Sequence, residues 1–152
     1  MAVGLDDVKR LVATETGLAT LACTRPDGTV AVSVINAGVL PHPVTGAEVV
    51  GLVTVGGSRK LEHLRARPVA SIAWRHGWNW AGAEGLVDLI GADDELAGFD
   101  PARLPALLRE IFSAAGGTHD DWDEYDRVMA AERRTAVLIA PSKIYGQPLP
   151  RG

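Results

Sequence analysis

Two runs of strand-forming residues joined by a short turn restrict most strongly how this chain can fold. Leu18–Thr24 consists of residues compatible with a β-strand, and residues 30–37 alternate valine with other side chains at a period of two. Residues 25–28 between them contain a proline, which fixes φ, and a glycine, which tolerates positive φ. The segment therefore predicts a β-hairpin.

Four more strands are predicted downstream of this hairpin. They cover residues 48–55, 69–74, 78–90 and 135–140. Gly82 and Gly85 interrupt the longest of them, which indicates a bulge, a barrel bend or a close backbone approach. Residues 75–77 are interpreted as a turn and residues 144–148 as a tail.

A short helix is predicted over residues 58–66, between the third and fourth strands. Leu61 and Leu64 have helical spacing there, and the helix must end before Pro68, which cannot continue it. Residues 1–10 are interpreted as the start of another helix.

Two further helices are predicted before the last strand. Apolar residues recur at helical spacing over residues 104–112, and the glycines at 116–117 end that helix. Residues 118–121 have the spacing of a capping box that starts a second helix, with arginines at 133–134 in its last turn. Six strands with these helices predict a mainly β fold with α elements, a largely antiparallel barrel covered by helices.

Residues 56–60, Gly-Gly-Ser-Arg-Lys, lie where the third strand gives way to the short helix. A helix start exposes unpaired N–H groups and a partial positive charge, so Arg59 and Lys60 are each unfavourable there by about 0.3–1 kcal/mol. An anion would remove the conflict, and the two glycines would let a phosphate approach the backbone. The segment is equally consistent with a phosphate cradle and with a surface helix that Ser58 caps.

Composition and charge argue against several classes of function. The net charge of −4 argues against general nucleic-acid binding, and no apolar run reaches the roughly 20 residues that span a bilayer. The N-terminus lacks a signal-peptide pattern and the lone Cys23 excludes an internal disulfide, so we expect a cytoplasmic protein. Residues 1–152 are expected to form a single domain.

The sequence contains none of the common catalytic motifs. It has no dinucleotide-binding glycine motif, no phosphate loop ending in Gly-Lys-Ser/Thr and no Gly-x-Ser-x-Gly elbow. The four histidines are scattered, so no metal site is predicted, and the acidic residues at 120–126 are interpreted as capping and solvation. An anion site without a nucleophile or an acid–base pair is consistent with a bound cofactor that performs the chemistry.

Residues 53–72 and the strand–turn–strand opening resemble the pyridoxamine 5'-phosphate oxidase-like superfamily. Residues 77–85, 116–122 and 143–146 are similar to its actinobacterial branch of flavin/deazaflavin oxidoreductases, many of which use coenzyme F-420. The resemblance extends over residues 5–148. It implies an FMN-binding split β-barrel and a homodimer with two cofactor sites at the subunit interface.

The resemblance also implies which residues bind the cofactor. Those implied in binding its phosphate are Gly57, Ser58, Arg59 and Lys60. Those implied to face its ring, mainly through backbone groups, are Ser33, Val34, Ile35 and Asn36. Trp78 and Trp80, two residues apart and so on one strand face, would line the ring or substrate pocket. Packing in the core or at the dimer interface is the alternative for both tryptophans.

The leading interpretation is an oxidoreductase that uses coenzyme F-420 for hydride transfer to a small conjugated acceptor. Arg65, Arg67 and Arg75 are candidates for binding the charged tail of F-420. The alternatives are an FMN-dependent reductase or oxidase of the same fold, a non-catalytic protein that binds a flavin or haem-like ligand, and a dimeric barrel with an empty site. In the pyridoxamine phosphate oxidases proper, the resemblance implies a C-terminal segment that recognises pyridoxal phosphate with an Arg and a His; residues 147–152 contain no such pair, which argues against vitamin B6 oxidation.

Overall fold

A computed structural model describes residues 2–151, which form a six-stranded barrel with four helices. The strands are β1 (Leu18–Thr24), β2 (Val30–Pro41), β3 (Glu48–Thr54), β4 (Val69–His76), β5 (Asn79–Ile90) and β6 (Thr135–Gln147). The helices are α1 (Leu5–Val12), α2 (Arg59–Ala66), α3 (Leu104–Ala114) and α4 (Trp122–Ala131), with a 3-10 turn at Pro101–Arg103 before α3. The strand order is β1–β2–β3–β6–β5–β4, and all neighbouring strands are antiparallel. The predicted antiparallel barrel with helical cover is confirmed.

Strand β6 continues to Gln147, so the interpretation of residues 144–148 as a tail was wrong. Its C-terminal half pairs with β5 and places Tyr145 opposite Gly82. The register shifts just before Gly85, where a Cβ would collide with a backbone carbonyl of β6. One of the two glycines that interrupt β5 therefore marks a bulge, as a glycine inside a strand often does.

The turn between β4 and β5 begins two residues later than predicted. Residues 75–77 were expected to form it, but β4 extends to His76 and the turn consists of Gly77 and Trp78. Gly77 has φ of 62°, which a glycine adopts without the steric cost that a side chain would bring. Trp78 is therefore outside the strand that was predicted to begin with it.

Helix α4 is capped by Asp121 and not by Thr118, so the predicted capping-box position was wrong. The Asp121 carboxylate accepts a hydrogen bond from the Glu124 N–H at 3.0 Å. The helix ends at Ala131, before Arg133, whose φ of 49° lies in the left-handed region. No helix in the described residues 2–151 has the length and apolar character that a membrane span requires.

The first five residues of β6, 135–139, are buried on both faces of the sheet because they separate two apolar clusters. Val137 and Ile139 belong to the cluster inside the barrel, while Ala136 and Leu138 belong to the cluster under α3 and α4. Helices α1 and α2 contribute to the barrel interior through Val8, Leu11, Val12, Leu61 and Leu64. The apolar run of β6 therefore lacks the alternation of a strand that has one solvated face.

Strand β2 is unpaired along half of one edge. Its residues 30–36 pair with β1 only, because β3 pairs with β2 from Ala37 onward. This free edge faces the start of α2, and it is the part of the barrel wall in which the candidate site lies.

Asp7 on α1 is a buried carboxylate that joins the two ends of the chain. Its side chain is 3% exposed and accepts hydrogen bonds from Arg10 at 2.8 Å, from Arg151 at 3.1 Å and from the Gly4 N–H at 2.9 Å. Arg10 also donates to the Leu149 carbonyl at 2.8 Å. The hydrogen bonds from Arg151 and Gly4 hold the pKa of Asp7 well below its usual range.

We expect Asp7→Asn to lower the free energy of unfolding at pH 7 by about 3 kcal/mol, because two arginines lose a buried partner. The lowered pKa stabilises the fold fully above the ordinary value of 3.8; this contribution declines below pH 3.8 and is lost as the pH falls through the lowered pKa of the folded state. Urea unfolding at pH 7 and pH 3 should show a smaller pH dependence in Asp7→Asn than in wild type. Asp6→Asn, on the exposed side of the same turn, is the control, and equal loss in both variants would contradict the prediction.

Candidate functional site

Helix α2 begins with backbone N–H groups that have no acceptor. Ser58 occupies the N-cap position, but its hydroxyl lies 3.3 Å from the Thr54 hydroxyl and does not cap the helix. The N–H groups of Gly57, Arg59 and Lys60 find no hydrogen-bond acceptor within residues 2–151. Free N–H groups at a helix start form a binding site for an anion. The alternative in which Ser58 simply caps the helix is not supported by its side chain.

The two glycines before α2 have different structural roles. Gly57 has φ of 79° and nothing within 4 Å of the position of a Cβ, so it faces open space. A Cβ on Gly56 would lie 2.5 Å from the carbonyl oxygen of Arg133, and the Gly56 N–H donates to the Glu132 carbonyl at 3.0 Å. Close packing against the segment before β6 therefore explains why residue 56 is a glycine. Of the two glycines, only Gly57 leaves space for a ligand to approach the backbone.

A cleft of about 290 Å³ lies between the start of α2 and β2. Arg25, Arg59, Lys60 and His63 line it together with residues 31–33, and no carboxylate does. Neither Arg59 nor Lys60 forms a salt bridge within residues 2–151, whereas six other arginines each pair with a carboxylate. Three of the cations that have no salt bridge among residues 2–151, Arg25, Arg59 and Lys60, therefore line one cleft, and this concentration of charge suits a small anionic ligand.

Sequence reasoning assigned Arg25 only to the hairpin turn and Cys23 only to the core, yet both line the cleft. The Arg25 guanidinium donates to the Val30 carbonyl at 2.8 Å and so lies along the start of β2. The hairpin register provides the signal that could have located them, because residues 23 and 25 are two apart and so share a strand face, and Cys23 pairs with Ala31.

Two titratable groups deep in the cleft have unusual environments. Burial raises the pKa of the Cys23 thiol, and the nearby charge of Lys60 opposes that shift. The Nδ1 atom of His63 is buried and makes no hydrogen bond to any residue from 2 to 151. A thiol held protonated is a poor nucleophile, so the cleft is better suited to binding than to covalent catalysis.

Backbone groups of β2 are directed toward the free edge. Hydrogen bonds from the Arg25 N–H to the Thr29 carbonyl at 2.7 Å and from the Ala37 N–H to the Gly17 carbonyl at 2.9 Å bracket the hairpin. Since bonded and non-bonded pairs alternate, Ala31, Ser33 and Ile35 bond to β1. The backbone groups directed away from β1 are those of Val32, Val34 and Asn36.

The side chains of the predicted ring-facing segment are divided between three places. Ser33 lines the cleft, while Ile35 and Asn36 line a second cavity further along β2. The Val34 side chain is 67% exposed on the outer face of the sheet, although its backbone faces the free edge. The structure therefore brings Ser33, Arg59 and Lys60 together at the cleft, whereas Gly57 and Ser58, which directly precede α2, are not among the residues that line it.

Neither Trp78 nor Trp80 lines the cleft or the second cavity of its own chain. Trp78 lies in the β4–β5 turn and is 91% exposed, so the predicted shared strand face and the core alternative are both wrong for it. Trp80 contacts Tyr145 edge-to-face, with ring centroids 6.0 Å apart, on the outer side of the sheet.

None of the three arginines considered for a cofactor tail lines the cleft. Arg65 is bound to Asp94 through two hydrogen bonds of 2.8 and 2.7 Å. Arg75 donates to the Gly77 carbonyl at 3.2 Å, and Arg67 ends α2 on its exposed side. Arg65 is thus already committed to a structural contact.

Two of the five acidic residues at 120–126 have structural contacts. Asp121 caps α4, and Asp126 accepts two hydrogen bonds from Arg109 at 2.9 and 2.6 Å between α4 and α3. Among residues 2–151, no group of three or more histidine, cysteine, aspartate or glutamate side chains is arranged to hold a metal ion.

No family model matches the sequence, but several solved structures have the same fold. A conserved hypothetical protein of Mycobacterium tuberculosis aligns with a TM-score of 0.69 and 18% identity over 100% of this chain and 92% of its own. An F-420 reductase aligns with a TM-score of 0.61 and 15% identity over 95% of this chain and 98% of its own. A pyridoxamine 5'-phosphate oxidase-related, FMN-binding protein of Nostoc punctiforme aligns with a TM-score of 0.64 and 18% identity over 91% of this chain and 78% of its own. The predicted split-barrel fold is confirmed.

Proposed function

We propose that this chain is an oxidoreductase that binds a phosphate-bearing flavin-type cofactor in the cleft at the start of α2. The first candidate for this cofactor is coenzyme F-420. The observation that carries the proposal is the set of unpaired cations and free N–H groups around an opening that no carboxylate lines. The fold shared with an F-420 reductase and an FMN-binding protein supports it.

The residues present fit such a cofactor. Gly57, Ser58, Arg59 and Lys60 would hold the phosphate, with Arg25 as a further cation. The backbone groups of Val32, Val34 and Asn36 would meet the edge of the ring system. When bound, a deazaflavin or flavin supplies the hydride chemistry, and the chain supplies binding and orientation. We assign no catalytic residue, because the cleft holds no acid–base pair.

FMN is the second candidate, and the position of Arg65 favours it. Coenzyme F-420 carries a charged lactyl-glutamate tail that needs cations beyond the phosphate site, and Arg65 is occupied by Asp94. Arg25 is the remaining cation of the cleft that could bind that tail.

We also propose that the chain forms a homodimer and that the partner covers the outer face of the β2–β1–β4–β5 sheet. Five aliphatic side chains on this face are between 46% and 69% exposed, namely Val30, Val32, Val34, Val69 and Leu86. An apolar surface of this kind is typical of a protein interface. Trp78 and Trp80 would then approach the cleft of the partner.

Titration of the purified protein with F-420 and, separately, with FMN tests the proposed function. We expect sub-micromolar binding of F-420, followed by fluorescence, and consumption of the reduced cofactor when a conjugated acceptor is added. Tighter binding of FMN than of F-420 would favour the second candidate, an FMN-dependent enzyme. Tight binding without turnover would indicate a carrier protein. Binding of neither cofactor would contradict the proposal.

A further inference from the structure

A second cavity, of about 360 Å³, lies next to the cofactor cleft along the free edge of β2. Its walls are mostly apolar and include Ile35, Val53, Phe112, Tyr125 and Met129. The rings of Phe112 and Tyr125 lie 5.1 Å apart and are tilted by 50°. Its volume is in the range of small-molecule sites, which is about 300–1,000 Å³, and aromatic walls favour a planar conjugated ligand.

Arg134 is the only charged residue, among those the structure describes, that lines this cavity. Its Nε atom is buried and makes no hydrogen bond within residues 2–151, while its Nη2 atom lies 3.2 and 3.3 Å from the two carboxylate oxygens of Glu132. A buried donor without an acceptor destabilises the fold, and an oxygen atom of a ligand would remove that cost.

The side-chain donors of Tyr125 and Asn36 in the cavity already have acceptors. The Tyr125 hydroxyl donates to the Leu108 carbonyl at 3.1 Å, and the Asn36 side-chain amide donates to the Thr16 carbonyl at 2.8 Å. The Nε atom of Arg134 is therefore the side-chain donor that a ligand would meet. Because Glu132 already offsets the guanidinium charge, a neutral oxygen suits this donor better than a second anion would.

We propose that this cavity binds a neutral, planar conjugated ketone whose rings pack against Phe112 and Met129 and whose carbonyl oxygen accepts a hydrogen bond from the Nε atom of Arg134. Ser33 of the cleft and Ile35 of the cavity lie about 7 Å apart on β2, so the ketone would lie beside a ring held along that strand. That this ketone is the hydride acceptor of the reaction rests on the proposed function. That the cavity binds the ketone does not depend on it.

Three probes with one naphthalene ring system test this assignment by equilibrium dialysis. They are 1-acetylnaphthalene, a neutral ketone; 1-naphthoate, an anion of similar shape; and 1-ethylnaphthalene, which has no oxygen. We expect the ketone to bind the wild-type protein about fivefold more tightly than either of the other two. Tighter binding of 1-naphthoate, or no binding of the ketone, would overturn the proposal.

Arg134→Met removes the donor but keeps an apolar side chain of similar length. We expect it to weaken ketone binding about fivefold and to leave 1-ethylnaphthalene unchanged, whereas Arg127→Met, on the exposed side of α4, should change neither. Unchanged ketone binding in Arg134→Met would overturn the proposal. Met129→Trp, which fills the cavity from α4, should weaken all three probes at least tenfold, and thermal melting of each variant reports its folding.

Repeating the dialysis with saturating F-420 or FMN separates this inference from the proposed function. Ketone binding that persists beside a bound cofactor supports the cavity as a separate site. Displacement of the ketone by the cofactor overturns it, because the cavity would then belong to the cofactor. If neither cofactor binds but the ketone still depends on Arg134, the proposed function fails and this inference stands.

Discussion

Replacing Arg59 and Lys60 together by alanine is expected to weaken binding of F-420 or FMN by about 100-fold or more. Each cation would make a charge-assisted contact with the phosphate, worth about 1.5–3 kcal/mol, and each 1.4 kcal/mol corresponds to a factor of ten. Neither residue has a salt bridge to lose among residues 2–151, and both lie at a helix start that disfavours positive charge. The free protein should therefore melt at the same temperature as wild type or slightly higher.

The measurement is a fluorescence titration of both cofactors against wild type and the double variant, together with thermal melting. Arg127→Ala combined with Lys143→Ala is the control, because it removes two exposed cations outside the cleft and changes the net charge equally. We expect the control to retain wild-type affinity. Cofactor affinity within threefold of wild type in the Arg59/Lys60 variant would show that the cleft is not the phosphate site.

Val30→Glu combined with Leu86→Glu is expected to convert the proposed homodimer into a monomer. Both side chains are exposed on the outer face of the sheet, at 61% and 67%, and neither lines the cleft. A glutamate at each position would place unpaired carboxylates in the centre of an apolar interface, where their desolvation is unfavourable. If the partner completes the cofactor site, the monomer should also bind the cofactor at least about tenfold more weakly.

Size-exclusion chromatography with light scattering measures the oligomeric state at micromolar concentration. Val44→Glu combined with Val128→Glu provides the matched control, since these two valines are each 43% exposed but lie in the β2–β3 connection and on α4. A wild-type protein that elutes as a monomer, or a Val30/Leu86 variant that remains a dimer, would contradict the proposed interface.

The parts of the fold that could be predicted from sequence are those set by local signals. Leu18–Thr24 was predicted with both its bounds, because a turn with a proline and a glycine follows it. Helix α2 ends at Ala66 as predicted, because Pro68 follows. The extension of β6 through Tyr145 was missed, since that segment is a strand only by pairing with β5 across a register shift.

The residues of the candidate site likewise fall into those that local sequence signals identify and those that only tertiary contacts reveal. Residues 57–60 were identified from the conflict between cations and a helix start, which involves neighbours in sequence only. Arg25 and His63 could not be placed in the same cleft from sequence, because their meeting depends on how α2 packs against the β1–β2 hairpin. Sequence also left Arg65 as a candidate for binding a cofactor tail, and only the loop after β5 brings Asp94 to it.

The sequence by itself determined the order of strands and helices and the location of a helix start that carries two cations, because propensity, turn chemistry and helix electrostatics act between near neighbours. Only the tertiary structure decided which cations remain unpaired, which edge of β2 is free, and that Arg134 keeps a buried donor at a cavity beside it. These properties depend on contacts between residues far apart in the chain, such as Gly56 with Arg133 and Arg65 with Asp94. Such contacts form only when the barrel closes.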